Sequence, residues 1–152
     1  MMLPKTHTYI VFLLLSVLSV SFATDTNTTT PNQSQPTFDS IHWKLIYIGN
    51  VDINASQMKR AAHIIFSPLT KGEGTFKGAS GCNEMLGTYK AVDQNLSIDT
   101  KHIAMTRMAC PSMDIETKFL DALAHIQHWS IEENNLELLD INDTSWLKFE
   151  VN

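Results

Sequence analysis

The two cysteines of the chain, Cys82 and Cys110, are the residues whose side chains most directly suggest chemistry. Cys82 follows Gly81 in a glycine-rich stretch that is typical of a turn. Cys110 immediately precedes a predicted helix, and a helix N-terminus favours the reactive thiolate. Residues of this type could serve as a nucleophile, as metal ligands or as the two halves of a disulfide.

A disulfide between Cys82 and Cys110 is the favoured interpretation, because an even number of cysteines in an exported domain is typical of a bridge. It would close a loop of about 29 residues and contribute roughly 3–4 kcal/mol by restricting the unfolded chain. It would also attach the start of the helix to the third hairpin. A cysteine nucleophile is the less favoured alternative, because the sequence contains no recognisable Cys-His-Asn signature.

Other candidate chemistry is weaker. His125 and His128 lie three residues apart at the end of the predicted helix and could chelate a metal, but the sequence offers no obvious third ligand. Ser80 lacks the flanking glycines of a hydrolase nucleophile elbow, and no phosphate-binding glycine motif is present. Arg107 lies between apolar residues and either points outward or, as we expect, forms a structural ion pair. We therefore expect no enzymatic activity, metal or cofactor.

The N-terminal sequence predicts export. Residues 1–23 combine a short basic head, an apolar run of about 14 residues and a small-x-small cleavage site, which together are typical of a secretory signal peptide. No cysteine lies near the cleavage site, as a lipoprotein would require at its first mature residue, so we expect neither lipid acylation nor a stable membrane anchor after cleavage. Residues 24–40 are polar and predict a flexible linker. We expect residues 41–152 to form one domain in a periplasmic or secreted protein.

The charge balance argues against one class of partner. The chain has 11 Lys and Arg against 16 Asp and Glu, a formal net charge of −5, and shows no basic stripe. Binding to nucleic acid requires several side chains that neutralise phosphates, so we expect no nucleic-acid partner. We expect a monomer.

Hydrophobic periodicity predicts an α+β domain. Residues 112–127 carry apolar side chains at helical spacing after a proline and a good N-cap residue, with acidic residues in the first turn. About seven or eight short segments are rich in β-branched and aromatic residues and predict a curved, partly barrel-like antiparallel sheet. These segments span residues 43–49, 62–68, 74–80, 87–93, 95–99, 128–133, 136–141 and 146–151. Pro68 is expected to end the second of them.

The domain contains, in this order, a Gly-Cys-Asn triplet, a Gly-x-Tyr pair and a Thr-Arg-Met-Ala-Cys-Pro run that leads into a helix with an acidic start. The residues are Gly81, Cys82, Asn83, Gly87, Tyr89, Thr106, Arg107, Met108, Ala109, Cys110 and Pro111, followed in the helix by Glu116, Phe119, Leu120 and Leu123. This order of motifs resembles the META domain family of HslJ-type heat-shock proteins. The resemblance covers essentially the whole domain. It implies a small α+β fold in which the two cysteine motifs lie near each other.

The resemblance also implies a role in the heat-shock or stress response of the bacterial envelope, including antibiotic tolerance, without any catalytic residue. We therefore expect a non-enzymatic protein that binds an unidentified envelope partner. One alternative is a carrier of a hydrophobic ligand or of a secretin peptide, in which Met105, Met108 and Met113 line a cleft between helix and sheet. The other is an exported thiol- or histidine-dependent enzyme.

Overall fold

The computed structural model describes residues 37–54, 56, 58–111 and 113–152. The predicted signal peptide and most of the predicted linker lie outside these residues. The elements are β1 (Trp43–Ile48), β2 (Val51–Asp52), β3 (His63–Thr70), β4 (Glu73–Ala79), β5 (Glu84–Val92), β6 (Asn95–Ile98), β7 (Ala104–Met105), α1 (Met113–His125), β8 (His128–Glu132), β9 (Asn135–Leu139) and β10 (Ser145–Val151). A 3₁₀ turn at Thr100–His102 precedes β7.

The strands form one antiparallel sheet that closes into a ring. Eight of them follow each other in the order β1, β3, β4, β5, β6, β8, β9 and β10, and β10 pairs again with β1. The two-residue strands β2 and β7 are additions that pair with β1 and β5 respectively. The predicted fold class, α+β with a curved antiparallel sheet and one packed helix, is confirmed.

The core fills the inside of the ring because the strands alternate inward apolar and outward polar residues. In β4 and β5 the inward positions include Phe76, Met85 and Tyr89, all buried. Helix α1 packs against β1 and β10 through the stripe that contains Ile115 and Phe119. The Phe119 ring meets the Phe149 ring edge-on at a centroid distance of 6.3 Å, and both side chains are buried. The helix therefore adds its apolar stripe to the core beside β1 and β10, the strands at which the sheet closes.

Several element boundaries differ from the predictions. Strand β3 continues through Pro68, which pairs with Gly74 of β4. The recorded pairing of β3 with β1 involves only His63 and Ile64, so the Pro68 nitrogen faces an edge where no ladder bond is lost. Strand β5 begins at Glu84, three residues earlier than predicted.

The folded domain begins earlier than residue 41. Phe38 is buried, with 3% of its surface exposed, and its carbonyl accepts a hydrogen bond from the Trp43 indole at 2.8 Å. Asp39 forms a parallel bridge with Phe66 of β3. Because the Phe38 side chain is buried in the core, the last residues of the predicted linker are part of the folded domain.

Across the described part of the chain, none of the helices combines the length and the apolar character that a membrane crossing requires.

Candidate functional site

Cys82 and Cys110 form the predicted disulfide, with their Cα atoms 5.9 Å apart. Cys82 lies in the turn between β4 and β5, and Cys110 lies three residues before Met113, the first residue of α1. The preceding Gly81 has φ +99°, and a Cβ there would lie 3.0 Å from the Met58 sulfur. This turn therefore requires glycine for its backbone angle and for its close packing. The bridge attaches the entry of the helix to the sheet.

Asn83 is the centre of a buried hydrogen-bond network and is 2% exposed. Its Oδ1 accepts from the Thr106 hydroxyl at 2.8 Å and from the Met108 backbone N–H at 2.7 Å. Its Nδ2 donates to the Glu116 carboxylate at 3.0 Å and to the Met108 carbonyl at 3.3 Å. All four hydrogen-bonding positions of the amide are used, so one side chain fixes the segment 106–108 and the first turn of α1 together.

Glu116 completes this network, a role that the sequence analysis did not assign to it: there it was only a first-turn acid and part of the motif that resembles the family. Its carboxylate accepts hydrogen bonds from the Asn83 backbone N–H at 3.0 Å, from the Asn83 amide and from the Ser80 hydroxyl. It is 6% exposed. Three donors and the N-terminal end of the helix dipole compensate for burying the acid. A signal was present, because Glu116 shares a helix face with Phe119 and Leu123.

An open cleft of about 570 Å³ lies between the segment 103–109 and the first turn of α1. Most of its lining is apolar, and it includes the three methionines expected to line a cleft between helix and sheet. The lining residues are Asn83, Ile103, Met105, Thr106, Arg107, Met108, Ala109, Met113 and Glu116. The network of Asn83 and Glu116 therefore forms the polar floor beneath an apolar cleft.

Arg107 lies at this cleft and not in the expected structural ion pair. Its side chain is exposed, and the ion pairs recorded among the described residues do not include it. The neighbouring carboxylate of Glu116 is already held by Asn83 and Ser80, while Glu84 pairs with Arg60. The guanidinium is consequently presented toward solvent at the edge of the cleft.

The remaining family-motif residues have structural positions. Gly87 lies beneath the Phe76 ring, and a Cβ there would come within 2.6 Å of two ring carbons. The Tyr89 hydroxyl donates to the Asp39 carboxylate at 2.8 Å. Burial raises the pKa of Tyr89, and the hydrogen bond and the charge of Asp39 raise it further. Pro111 is exposed in the turn before α1. Gly87 and Tyr89 are not among the residues that line the cleft, so the motif residues do not form one site.

The histidines considered as metal ligands are separated by the end of the helix. Helix α1 ends at His125, whose ring stacks on Trp146 at a centroid distance of 4.3 Å. His128 begins β8 and pairs with Asp143 at 2.9 Å. Within the described ranges, His, Cys, Asp and Glu side chains form no cluster of three or more suited to a metal ion.

Three solved structures share this fold. An NMR structure of a protein from Burkholderia xenovorans is 26% identical, with a TM-score of 0.58, covering 76% of this chain and 83% of that one. A second NMR structure, of another protein, is 19% identical, with a TM-score of 0.56, covering 75% of this chain and 91% of that one. A crystal structure of a DUF4847 family protein from Bacteroides vulgatus is 20% identical, with a TM-score of 0.50, covering 76% and 94%.

A comparison with curated proteins finds no significant match. The family model of the META domain matches residues 36–152, which include the disulfide, the network of Asn83 and Glu116 and the whole cleft. Because this match covers well over half of the sequence, the chain belongs to the META domain family.

Proposed function

We propose that this META domain protein is an exported, non-enzymatic binding protein of the envelope stress response. Its binding surface in this proposal is the cleft between the segment 103–109 and α1, and its partner is an unidentified envelope protein or hydrophobic ligand. The observation that carries the proposal is the lining of this cleft, in which Met105, Met108 and Met113 surround a floor of satisfied polar groups. Flexible thioether side chains adapt to irregular apolar partners.

Two features support a binding role over a catalytic one. The polar atoms at the cleft floor are engaged with each other: Asn83 uses all its donors and acceptors, and Glu116 accepts three hydrogen bonds. Such groups hold a shape and leave little capacity for proton transfer. A thiol-dependent enzyme would need a free sulfur, whereas Cys82 and Cys110 are bonded to each other.

Export and the stress role rest on separate support. The signal-peptide pattern of residues 1–23 indicates export, and a disulfide is stable in an oxidising compartment. Membership in the META domain family supports the stress role, with antibiotic tolerance as one expected consequence. In this proposal the protein has no membrane anchor after cleavage and acts as a monomer.

The cleft is tested with an apolar probe. The purified oxidised protein is titrated with N-phenyl-1-naphthylamine, whose fluorescence rises in apolar surroundings, and with dodecanoate as competitor. Met113→Asp places a charge at the cleft mouth, where the helix N-terminus tolerates an acid, and we expect it to weaken probe binding at least fivefold. Ile141→Asp is the matched control, because Ile141 is an exposed apolar residue in the loop between β9 and β10.

Equal binding by both variants, or no binding by the unmodified protein, would contradict the cleft as the binding surface.

A further inference from the structure

Strand β7 has a free edge, and this edge borders the cleft. β7 pairs with β5 through Met85–Met105 and Leu86–Ala104, and the described sheet gives it no second partner strand. Just beyond it, the Thr106 N–H donates to the Glu84 carbonyl at 3.1 Å. Unpaired strand edges carry backbone donors and acceptors ready to accept another strand.

The register identifies which backbone groups are free. In antiparallel pairs, hydrogen-bonded residue pairs alternate with non-hydrogen-bonded ones. Since Glu84 and Thr106 are hydrogen-bonded, Leu86 and Ala104 form the next hydrogen-bonded pair. The pair between these two, Met85 and Met105, is not hydrogen-bonded. The N–H and the carbonyl of Met105 therefore point away from β5. Met105 also lines the cleft, as does its neighbour Ile103.

The charge at this edge restricts the occupant. Two charged residues line the cleft. Glu116 is buried and already accepts hydrogen bonds from Asn83 and Ser80, whereas Arg107 is exposed two residues from Met105. A guanidinium prefers a carboxylate, which it can hold through two parallel hydrogen bonds. The methionines favour apolar side chains, and the free backbone groups favour a backbone in extended conformation.

Together these features lead to one occupant. We infer that the cleft binds an extended apolar peptide segment that ends in a free carboxylate, added as a strand to the outer edge of β7 with its carboxylate on Arg107. This inference deepens the proposed function and rests on it, because it specifies the partner of the same cleft. Main-chain hydrogen bonds to Met105 supply affinity, and alternate side chains of the peptide enter the methionine-lined cleft.

The test uses fluorescein-labelled nine-residue peptides from a positional library of Val, Ile, Leu and Ser, made with a free or an amidated C-terminus. Binding to the purified oxidised protein is measured by fluorescence anisotropy. Met105→Pro removes the outward N–H without removing a bond to β5, and we expect a loss of affinity of more than tenfold. Ile141→Asp, the control used with the apolar probe, changes an exposed residue between β9 and β10, outside the cleft and away from β7, and should bind within twofold of the unmodified protein.

Arg107→Gln tests the carboxylate. We expect it to weaken binding of the free-carboxylate peptide three- to tenfold and to leave the amidated peptide unchanged. If Met105→Pro does not fold, hydrogen exchange of the unmodified protein decides: the Met105 amide should exchange rapidly in the free protein and become protected when peptide binds, while the Ala104 amide is protected in both states.

The outcomes separate this inference from the proposed function. Binding of dodecanoate or of phosphatidylglycerol vesicles in the cleft, without binding of any library peptide at 1 mM, overturns strand addition and leaves the binding role of the cleft intact. Peptide binding that Met105→Pro leaves unchanged, or that leaves the Met105 amide unprotected, overturns strand addition as well. Absence of binding by peptide, dodecanoate and apolar probe alike overturns both.

Discussion

Glu116→Gln is the substitution that tests the buried network most directly, because it preserves the shape of the side chain while it removes the negative charge and replaces one acceptor oxygen by an NH₂ donor. Oε1 of Glu116 faces the Asn83 amide nitrogen at 3.0 Å, and Oε2 faces the Asn83 backbone N–H at 3.0 Å. A glutamine must place its NH₂ group at one of these positions. In either orientation two N–H donors then face each other, and both are buried.

The size of the loss follows from these contacts. One hydrogen bond to a charged acceptor is removed, which costs about 1.5–3 kcal/mol, and an unsatisfied buried donor adds about 1–3 kcal/mol. We therefore expect Glu116→Gln to lower the free energy of unfolding by about 3–5 kcal/mol, a large part of the stability of a typical domain. Glu137→Gln is the control. It removes the half-exposed pair with Lys148 and should cost less than about 1 kcal/mol.

A second substitution makes the test specific. Asn83→Asp places an oxygen 3.0 Å from the Glu116 carboxylate, and two like charges at this distance repel by about 5 kcal/mol at an effective dielectric constant near 20. Combining Asn83→Asp with Glu116→Gln restores a donor opposite an acceptor. The double variant should therefore be more stable than the sum of the single losses by at least about 3 kcal/mol. The Met108 carbonyl then faces the new Asp oxygen, so recovery is incomplete.

The assay is guanidinium denaturation of the oxidised protein at pH 7, followed by tryptophan fluorescence, with unchanged m-values as the sign that the unfolded states are comparable. A loss of less than about 1 kcal/mol for Glu116→Gln would show that the carboxylate does not carry the three hydrogen bonds described. Strict additivity of the two single losses would show that Asn83 and Glu116 are not paired.

Three further predictions concern other parts of the fold. Reducing the bridge between Cys82 and Cys110, which are 28 residues apart, should lower stability by roughly 3–4 kcal/mol on the chain-entropy model, and a double Cys→Ala variant should no longer respond to reductant in guanidinium melts. Gly87→Ala should cost about 2–3 kcal/mol by overpacking the core, against about 1 kcal/mol for Gly49→Ala, whose Cβ meets no atom within 4 Å. The pKa of Tyr89 lies above its ordinary value of 10.0, so its contribution is complete below about pH 10 and is lost at higher pH; Tyr89→Phe should flatten that alkaline loss in urea melts between pH 8 and 11.

Most of the fold could be predicted because each helix or strand is specified by the pattern of apolar and polar residues within its own segment. Strand β10 alternates Leu147 and Phe149 inward with polar residues outward, and the helix shows an apolar stripe after a capped start, so period alone identifies both. The disulfide was predicted from the even number of cysteines together with the expected export of the chain. The boundaries that failed depended on neighbours: Pro68 is tolerated only because its nitrogen faces an open edge of β3, which the sequence around it does not reveal.

The candidate site was harder to predict because it joins three distant segments. From its sequence neighbours, Glu116 is predicted only to be an acidic residue in the first turn that interacts favourably with the helix dipole. It is a buried hydrogen-bond acceptor because the fold places Ser80 and Asn83 next to it. The sequence predicts an ion pair for Arg107. In the fold, however, Glu84 pairs with Arg60 and Glu116 accepts a hydrogen bond from Asn83. The roles of Glu116 and Arg107 therefore depend on contacts between segments far apart in sequence, which the local pattern that predicts the helix and strands does not contain.

The network and the cleft depend on the same side chain. Asn83 holds Thr106 and Met108 with its oxygen and Glu116 with its nitrogen, so it fixes both walls of the cleft relative to each other. The disulfide attaches only the end of one wall, at Cys110. We therefore expect Asn83→Ala to weaken binding of the apolar probe even at temperatures where the variant remains folded. Reduction of the disulfide should lower the free energy of unfolding but leave probe binding by the folded protein largely unchanged. If both changes affected binding only in proportion to the unfolded fraction, the cleft would be shaped by the ring as a whole and not by Asn83.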